Sequence, residues 1–445
     1  MRVVLQDSPS GIDVPHYAKL IREAQTLQVR GRVSELTGLI VKAQVPGVRV
    51  GEVVLVKGRN RNMVRAEVVG FQGDTVMLMP LGELGGLGPD SEVIPTGSPL
   101  TIKVGDGILG RVLNGLGEPI DGKPLPPGLL EWSVDRDCPD PFTRRRIENP
   151  LPLGIRCIDG LLTVGDGQRV GLFAGSGVGK STLMGQIARQ TNAEMSVIAL
   201  IGERGREVRE FIEDSLGEEG LKRSVVVCAT SDQPSLVRLR AAFVATAIAE
   251  YFRDRGGNVM FMLDTVTRLA RAQREIGLAV GEPPARQGYP PSVFSMLPRL
   301  LERTGNSDKG RCTAIYTVLV AGSDMEDPIA DEVRGILDGH FILNRAIGER
   351  NQWPAMDVLP SLSRVMDGVV TPEHKKAARK LRETLATYEK QRDLILLGAY
   401  QYGTDPRTDY AIDKYEAIIE FLKQGTDENS TFEDTVAQLI ALFAE

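Results

Sequence analysis

The stretch Ala174-Gly175-Ser176-Gly177-Val178-Gly179-Lys180-Ser181-Thr182 is the densest chemical signal in this chain of 445 residues. Its glycines let the backbone curl until successive N–H groups face the oxygens of a phosphate. Lys180 carries an ammonium of the right length to reach β- and γ-phosphates. Ser181 supplies a hydroxyl of the kind that ligands Mg²⁺. A glycine-rich turn that binds nothing would show the same glycines. The setting argues against that: the apolar run Val170–Phe173 precedes the loop, and a helical stretch follows it. The start of that helix would add its positive end to the phosphate cradle. Ala174 stands where the strict pattern has Gly, so this is the relaxed form of the motif.

Two carboxylates qualify as partners of this loop. Asp264 ends the apolar run Val259-Met260-Phe261-Met262-Leu263, and a carboxylate on a neighbouring strand of the same sheet can hold Mg²⁺ through water. Many strands end in Asp, so the loop upstream is what gives Asp264 weight. Glu203-Arg204 closes the run Ser196–Ile201. Strand ends in such a sheet line a nucleotide crevice, where Glu203 could orient or deprotonate an attacking water. The plainer reading pairs Glu203 with Arg204 or Arg206 in a solvated loop.

The elements that must position these groups are legible as alternation. Strand-like runs at Arg169–Phe173, Met195–Ile201, Ser224–Ala229, Asn258–Asp264, Thr313–Val320 and His340–Leu343 are separated by helical stretches. They are apolar and β-branched, as strands buried on both faces are, which implies a mostly parallel sheet covered by helices. Leu236, Leu239, Phe243, Ala247 and Tyr251 mark one such helix, with Gly256-Gly257 to end it.

Upstream, Val29–Val33, Leu39–Ala43, Glu52–Lys57, Arg65–Gly70 and Thr75–Pro80 read as short strands of a small β-barrel or sandwich. The chain loosens at 82–89, and 105–165 is rich in Gly and Pro, a loop-dominated entry into the next domain. Residues 15–27 form an amphipathic pattern, either packing on its own domain or docking a partner. After residue 370 the pattern is helical. Thr371-Pro372 caps one helix, with Leu381, Leu385, Tyr388 and Ile395 as its apolar face. Ser430 and Glu433 suggest a capping box before a stripe at Phe432, Val436, Leu439, Ile440 and Phe443. The divisions expected are 1–27, 28–100, 101–370 and 371–445.

Composition bounds the rest. With 53 basic and 59 acidic side chains the formal charge is −6, which disfavours a general nucleic-acid coat. Four scattered cysteines (Cys138, Cys157, Cys228, Cys312) make no CxxC, pointing to a reducing cytosol and away from zinc. Three histidines leave little room for a His-dependent triad. The first residues break their apolar run at once, unlike a secretion signal, and no run approaches a membrane span.

Further motifs carry a resemblance. Gly202-Glu203-Arg204, Asp264 with Arg268, Pro354-Ala355-Met356-Asp357, and Ser361-Leu362-Ser363-Arg364 resemble the F1/V-type rotary ATPase superfamily. The resemblance runs from about residue 28 to the C-terminus, through Gly117–Gly122. Three stretches look like the type III secretion ATPases of flagella and injectisomes: Gly281–Phe294, Asp327–His340, and Gly398-Ala399-Tyr400 with Gly403-Thr404-Asp405.

That resemblance implies an N-terminal β-barrel, a RecA-like α/β core with a parallel sheet, and a C-terminal helical domain. It implies an ATP hydrolase using ATP and Mg²⁺ to energise unfolding, chaperone release and export of proteins. Residues Gly175 to Thr182 would bind the phosphates, and Ser181 and Asp264 the metal. Glu203 would activate water, with Arg204 and Arg268 near the γ-phosphate. Arg364 would act as an arginine finger on the nucleotide of the adjacent subunit. Trp353 sits where an aromatic lies against adenine, or else packs beside Pro354. Thr426 stands where a second stacking aromatic is usual, so base selectivity could be looser. Met356 replaces a branched aliphatic.

The implied assembly is a homohexamer with the 282–291 loop facing its centre. Implied partners are a stator-like regulator near 15–27, a stalk-like protein, chaperone–cargo complexes and a membrane export gate. The implied location is cytoplasmic, against the inner-membrane apparatus. A rotary synthase subunit shares the core but not the 281–294 and 398–405 segments. An RNA-translocating ring would want an aromatic barrel, and residues 28–100 hold Phe71 as their sole aromatic. A ring subunit that binds nucleotide without turnover would not need Lys180, Glu203 and Arg364 together.

Overall fold

The computed structural model describes residues 17–18, 29–58, 62–320 and 325–444. The helix expected over 15–27 lies, apart from Tyr17 and Ala18, outside the described residues. The chain divides into two compact units. The first runs to Met79 and adds Leu84–Gly97; the second comprises Pro80–Glu83 and Ser98 onward.

The first unit is a closed barrel. Its strands are β1 (Gly31–Thr37), β2 (Ile40–Gln44), β3 (Glu52–Lys57), β4 (Met63–Gln72), β5 (Thr75–Pro80) and β6 (Glu92–Pro99), arranged β1-β2-β5-β4-β3-β6. Inward side chains are small and branched: Val33, Val41, Val54, Val56, Val68, Val76 and Val93 are all buried. Closure removes free sheet edges. The closing strand β6 was not expected. Its Pro95, Gly97 and Pro99 look like breakers, yet β6 pairs with β1 at Gly31–Val93, where no proline must donate.

The second unit is built on an eight-stranded sheet, order β16-β15-β10-β14-β13-β11-β12-β8. Its members are β8 (Val112–Asn114), β10 (Arg169–Ala174), β11 (Met195–Ile201), β12 (Ser224–Ala229), β13 (Asn258–Asp264), β14 (Arg311–Leu319), β15 (Gly339–Leu343) and β16 (Met356–Ser363). A separate hairpin pairs β7 (Thr101–Val104) with β9 (Leu130–Ser133). All sheet neighbours are parallel except β15 and β16. The six expected core strands are present. The two edge strands β8 and β16 escaped the sequence reading, β8 because it lies in a Gly- and Pro-rich stretch. Edge strands are wet on one side and lack the continuous apolar run that marks a central parallel strand.

The helices of this unit are α1 (Arg156–Leu161), α2 (Lys180–Gln190), α3 (Gly205–Glu210), α4 (Gly217–Lys222), α5 (Ser235–Asp254), α6 (Val266–Ala279), α7 (Pro291–Leu301), α8 (Pro328–Ile336), α9 (Arg345–Glu349), α10 (Met366–Val369), α11 (Pro372–Leu396), α12 (Pro406–Leu422) and α13 (Phe432–Ala441). Helix α5 ends as its glycines require: Gly256 has φ +94° and donates to Arg253 O at 2.8 Å.

The C-terminal helices pack onto the core of the same unit. Leu381, Leu385, Ile418, Phe421, Leu422 and Leu439 join the apolar cluster containing β10 and α2. Thr371 caps α11 by accepting from His374 N, and Tyr388 of α11 stacks on Tyr415 of α12 with ring centres 3.7 Å apart. The capping box expected at Ser430 and Glu433 is displaced by one residue. Thr431 is the cap, accepting from Asp434 N, while Ser430 Oγ bonds Thr435 Oγ1 inside the core. The stripe around Leu439 turns mainly that side chain inward, and Ile440 is exposed. Among the described residues no helix is long and apolar enough to cross a membrane.

Candidate functional site

The site is assembled at the C-terminal ends of β10, β11, β13 and β14. Strand β10 delivers the loop 175–179, and α2 begins at Lys180. Gly177 and Gly179 have φ of +76° and +81°, a backbone that other residues rarely adopt. Space matters as well: a Cβ on Gly179 would lie 2.9 Å from the Trp353 ring. Ser181 and Thr182 are exposed on the first turn of α2. Arg345, at the start of α9, donates to Ser176 O at 2.8 Å and so steadies the loop from outside.

Lys180 Nζ pairs with Asp264 Oδ1 and lies 3.8 Å from Glu203 Oε1. One ammonium therefore faces two carboxylates. Asp264 is not on the strand beside β10, as expected, but on the next one over, because β14 intervenes. That intervening strand contributes directly: the buried Thr317 hydroxyl donates to Asp264 Oδ1 at 2.6 Å. The Asp264–Thr265 peptide is cis, and Thr265 then caps α6 through Arg268 N.

Glu203 follows β11 by two residues. Gly202 has φ +68°, which turns the chain so that Glu203 points inward, where it is 8% exposed. Arg268 Nη1 pairs with Glu203 Oε1. Burial pushes the Glu203 carboxyl above the usual range, opposed by Arg268; the Asp264 charge adds to the rise, Lys180 opposes it, and Glu207 adds again. A carboxyl so placed holds a proton more readily than a free glutamate does. The solvated reading of Glu203 therefore fails for the side chain itself. It holds for Arg204, which is exposed and pairs with Glu207 at 3.2 Å.

Arg364 is not brought to this constellation. It follows the edge strand β16, which runs antiparallel to β15 and so ends at the opposite end of the sheet from the loop, where the Arg364 side chain is exposed and donates to Arg334 O at 3.4 Å. Its backbone N–H donates to Asp338 O.

A cavity of about 340 Å³ opens beside Gly177 and Gly179. Leu183, Leu343, Pro354 and Ala355 make its apolar walls, and the Trp353 ring, 40% exposed, lines it. Gln186, Gln424 and Thr426 complete it. The segment after α12 is tied down over this cavity. Gln424 N donates to Trp353 O at 2.8 Å, and Arg189 donates to Thr426 O at 3.0 Å. Thr317, Arg345, Gln186 and Gln424 were missed in the sequence. A hydroxyl in the otherwise apolar β14 was a usable signal, since a buried polar group needs a partner. For the other three the sequence holds no local sign.

The loop 282–291 contains the turn Arg286–Gly288, with Gln287 at φ +47°; Arg286 pairs with Asp331 of α8 at 3.1 Å. Among the described residues Cys157, Cys228 and Cys312 are buried free thiols and Cys138 is an exposed one.

Comparison with known proteins covers nearly the whole chain. Residues 33–97 match the ATP synthase alpha/beta family, beta-barrel domain, and 154–363 the nucleotide-binding domain of that family. Residues 370–441 match the T3SS EscN ATPase C-terminal domain. The chain is 56% identical to the flagellum-specific ATP synthase of Bacillus subtilis over 93% of its own length and 94% of that protein. It is 54% identical to the type 3 secretion system ATPase of Xanthomonas euvesicatoria over 95% and 97%. Among solved structures it superposes on the assembled ATPase EscN of the enteropathogenic E. coli type III secretion system. The TM-score is 0.88, with 47% identity over 93% of this chain and all of that one. EscN in complex with its central stalk EscO gives 0.87.

Proposed function

Since this chain belongs to the type III secretion and flagellum-specific ATPases of the F1/V-type ATPase superfamily, we propose that it hydrolyses ATP to drive protein export through a bacterial type III secretion apparatus. Membership makes it a P-loop ATPase. The observation that carries the mechanism is the meeting of Lys180, Asp264 and Glu203 at one end of the sheet.

The residues present fit Mg²⁺. Ser181 and Asp264 offer hard oxygen donors beside the phosphate loop, as this ion prefers. Held by Ser181 and Asp264, the ion would offset the negative charge that builds on the phosphates. The N–H groups of 175–179 and the Lys180 ammonium hold the phosphates. Glu203 takes a proton from a water whose oxygen bonds to the γ-phosphorus, while the bond to the β-phosphate bridging oxygen breaks and ADP leaves. Arg268 positions Glu203 and favours its ionised form. Arg204 belongs to the outer rim.

Arg364 lies across the sheet from its own loop, so we assign it to the nucleotide of an adjacent copy. That requires a ring, and we take a homohexamer. We place a central stalk protein, chaperone–cargo complexes and the membrane export gate as partners, and a regulator at residues 1–27. The helices from 371 onward would form the cargo- and stalk-facing module.

The test is specific ATPase activity against protein concentration at saturating Mg²⁺ and ATP. A cooperative rise is expected, because each site would be completed by its neighbour. A flat activity from a monomer, verified by sizing, would overturn the shared site.

A further inference from the structure

The cavity beside Gly179 is apolar on most sides, but its polar groups are unequally committed. Gln424 is fully used: its Nε2 donates to Gly154 O and Glu428 O, and its Oε1 accepts from Arg156 N. Gln186 is different. It is 3% exposed, lines the cavity from α2, and donates from Nε2 to Gly425 O at 3.1 Å. A backbone carbonyl can only accept, so this bond fixes which end of the amide is nitrogen. The opposite end, Oε1, accepts no hydrogen bond among the described residues. This oxygen is not sealed inside the protein: it keeps access to the open space of the cavity and can accept a hydrogen bond from a donor placed there.

We infer that Gln186 is a base-reading residue: its Oε1 accepts a hydrogen bond from the exocyclic amino group of the nucleotide base, while Trp353 holds the base by its ring face. This rests on the cavity being the base site. The cavity's position supports that, since it adjoins the phosphate loop, with Trp353 2.9 Å from where a Gly179 Cβ would sit. Stacking on an indole tolerates any base, because every base has a π-face. Thr426, on the segment that closes the cavity, offers no second ring. Selectivity then falls to hydrogen bonding, and a positioned acceptor favours an amino group over hydrogen or a carbonyl. This sharpens the expectation of loose selectivity drawn from Thr426: discrimination is restored by Gln186 at one edge of the base.

The experiment compares ATP with purine riboside 5′-triphosphate, which has the same shape but no exocyclic amino group, on the full-length protein. The wild type is expected to show kcat/KM roughly three- to ten-fold higher for ATP, the range of one hydrogen bond. Gln186→Met, close in volume, is expected to close that gap. An equal kcat/KM for the two nucleotides in the wild type would overturn the inference without any variant. So would a Gln186→Met protein that keeps the gap, or one that loses both nucleotides in equal proportion, which is the mark of a merely structural wall. Trp353→Ala separates the underlying reading. A raised KM for both nucleotides supports the cavity as the base site, and an unchanged KM for both would sink that reading first.

Discussion

Thr317 donates a 2.6 Å hydrogen bond to Asp264 Oδ1 across the boundary between β14 and β13. Both residues are buried, so the bond works without competition from water. It orients the carboxylate at the strand end, where Lys180 meets the same oxygen. A charge-assisted bond of this kind contributes about 1.5–3 kcal/mol. Replacing Thr317 by Val keeps the shape and removes the hydroxyl. The Mg²⁺ concentration for half-maximal activity should rise several-fold, while nucleotide binding without metal changes little. Titrating Mg²⁺ at fixed ATP checks this; an unmoved midpoint would show that Asp264 needs no such support.

Glu203 should be the group whose loss costs turnover but not binding. Glu203→Gln is expected to lower kcat by about 10²–10⁴, the range for a positioned acid–base group. Direct binding of labelled ATP should remain. The pH profile follows from the same burial. The active form is the carboxylate, and burial raises its pKa. Activity therefore falls as pH drops through a value above the usual ~4.3 for Glu. Arg268 opposes that rise, so Arg268→Ala should move the acid limb further upward. A limb that stays put would remove Glu203 from the role of base.

Arg364 should act on another copy. Arg364→Ala is expected to lose about 10³ or more in turnover, by analogy with arginine fingers elsewhere. Mixing it with Lys180→Ala gives a sharper outcome. Mixed assemblies contain some interfaces with an intact Lys180 on one side and an intact Arg364 on the other. Activity should reappear on mixing two dead proteins, and its absence in verified mixed rings would place the finger elsewhere.

The chain has two tryptophans, which makes the base cavity optically accessible. Trp132 lies apart from it, edge-on to Tyr251 with ring centres 5.4 Å apart and Arg136 over its face. In a Trp132→Phe protein the remaining emission comes from Trp353. Adding nucleotide should change that emission with a saturable midpoint matching the binding constant. Emission indifferent to nucleotide would mean that Trp353 only packs.

Asp159 predicts a stability effect. It is fully buried at α1 and accepts from Leu153 N and Gly154 N at 2.9 and 2.8 Å. Burial pushes its carboxyl up to about 7, against the pull of these N–H groups. A carboxyl with a folded pKa above its unfolded value favours the fold most when protonated. Its contribution is present below roughly pH 4 and is lost as pH rises toward 7. Asp159→Asn should remove this pH dependence, so the wild-type-minus-variant difference in Tm should fall as pH rises across that window. Parallel Tm curves would show that Asp159 is not the titrating group.

Local motifs were legible because their meaning is contiguous. The glycines, Lys180 and Ser181 lie within one turn of chain, and a loop between strand and helix can do little else with them. The core strands were legible for a related reason: burial on both faces demands unbroken apolar runs, which β12 and β13 show. The elements that were missed break that rule. Strand β6 carries prolines at positions the barrel tolerates, and β8 and β16 lie at sheet edges. The cap at Thr431 was displaced from Ser430 because tertiary packing recruited Ser430 to Thr435 instead.

By itself, then, the sequence determined the phosphate loop, the carboxylates at strand ends, the alternating core and the kinship those motifs carry. It could not determine which strand lies beside which, because periodicity records that a strand is buried and not against what. The order β10-β14-β13-β11 is what sets Thr317 beside Asp264 and brings Glu203 to Lys180. The antiparallel run of β16 beside β15 takes Arg364 to the other end of the sheet. The cavity is the clearest case: Gln186, Trp353 and Thr426 come from α2, the α9–β16 loop and the α12–α13 segment. They meet because the C-terminal helices bury their apolar faces on the core, and the segment between two of them then closes over the phosphate loop.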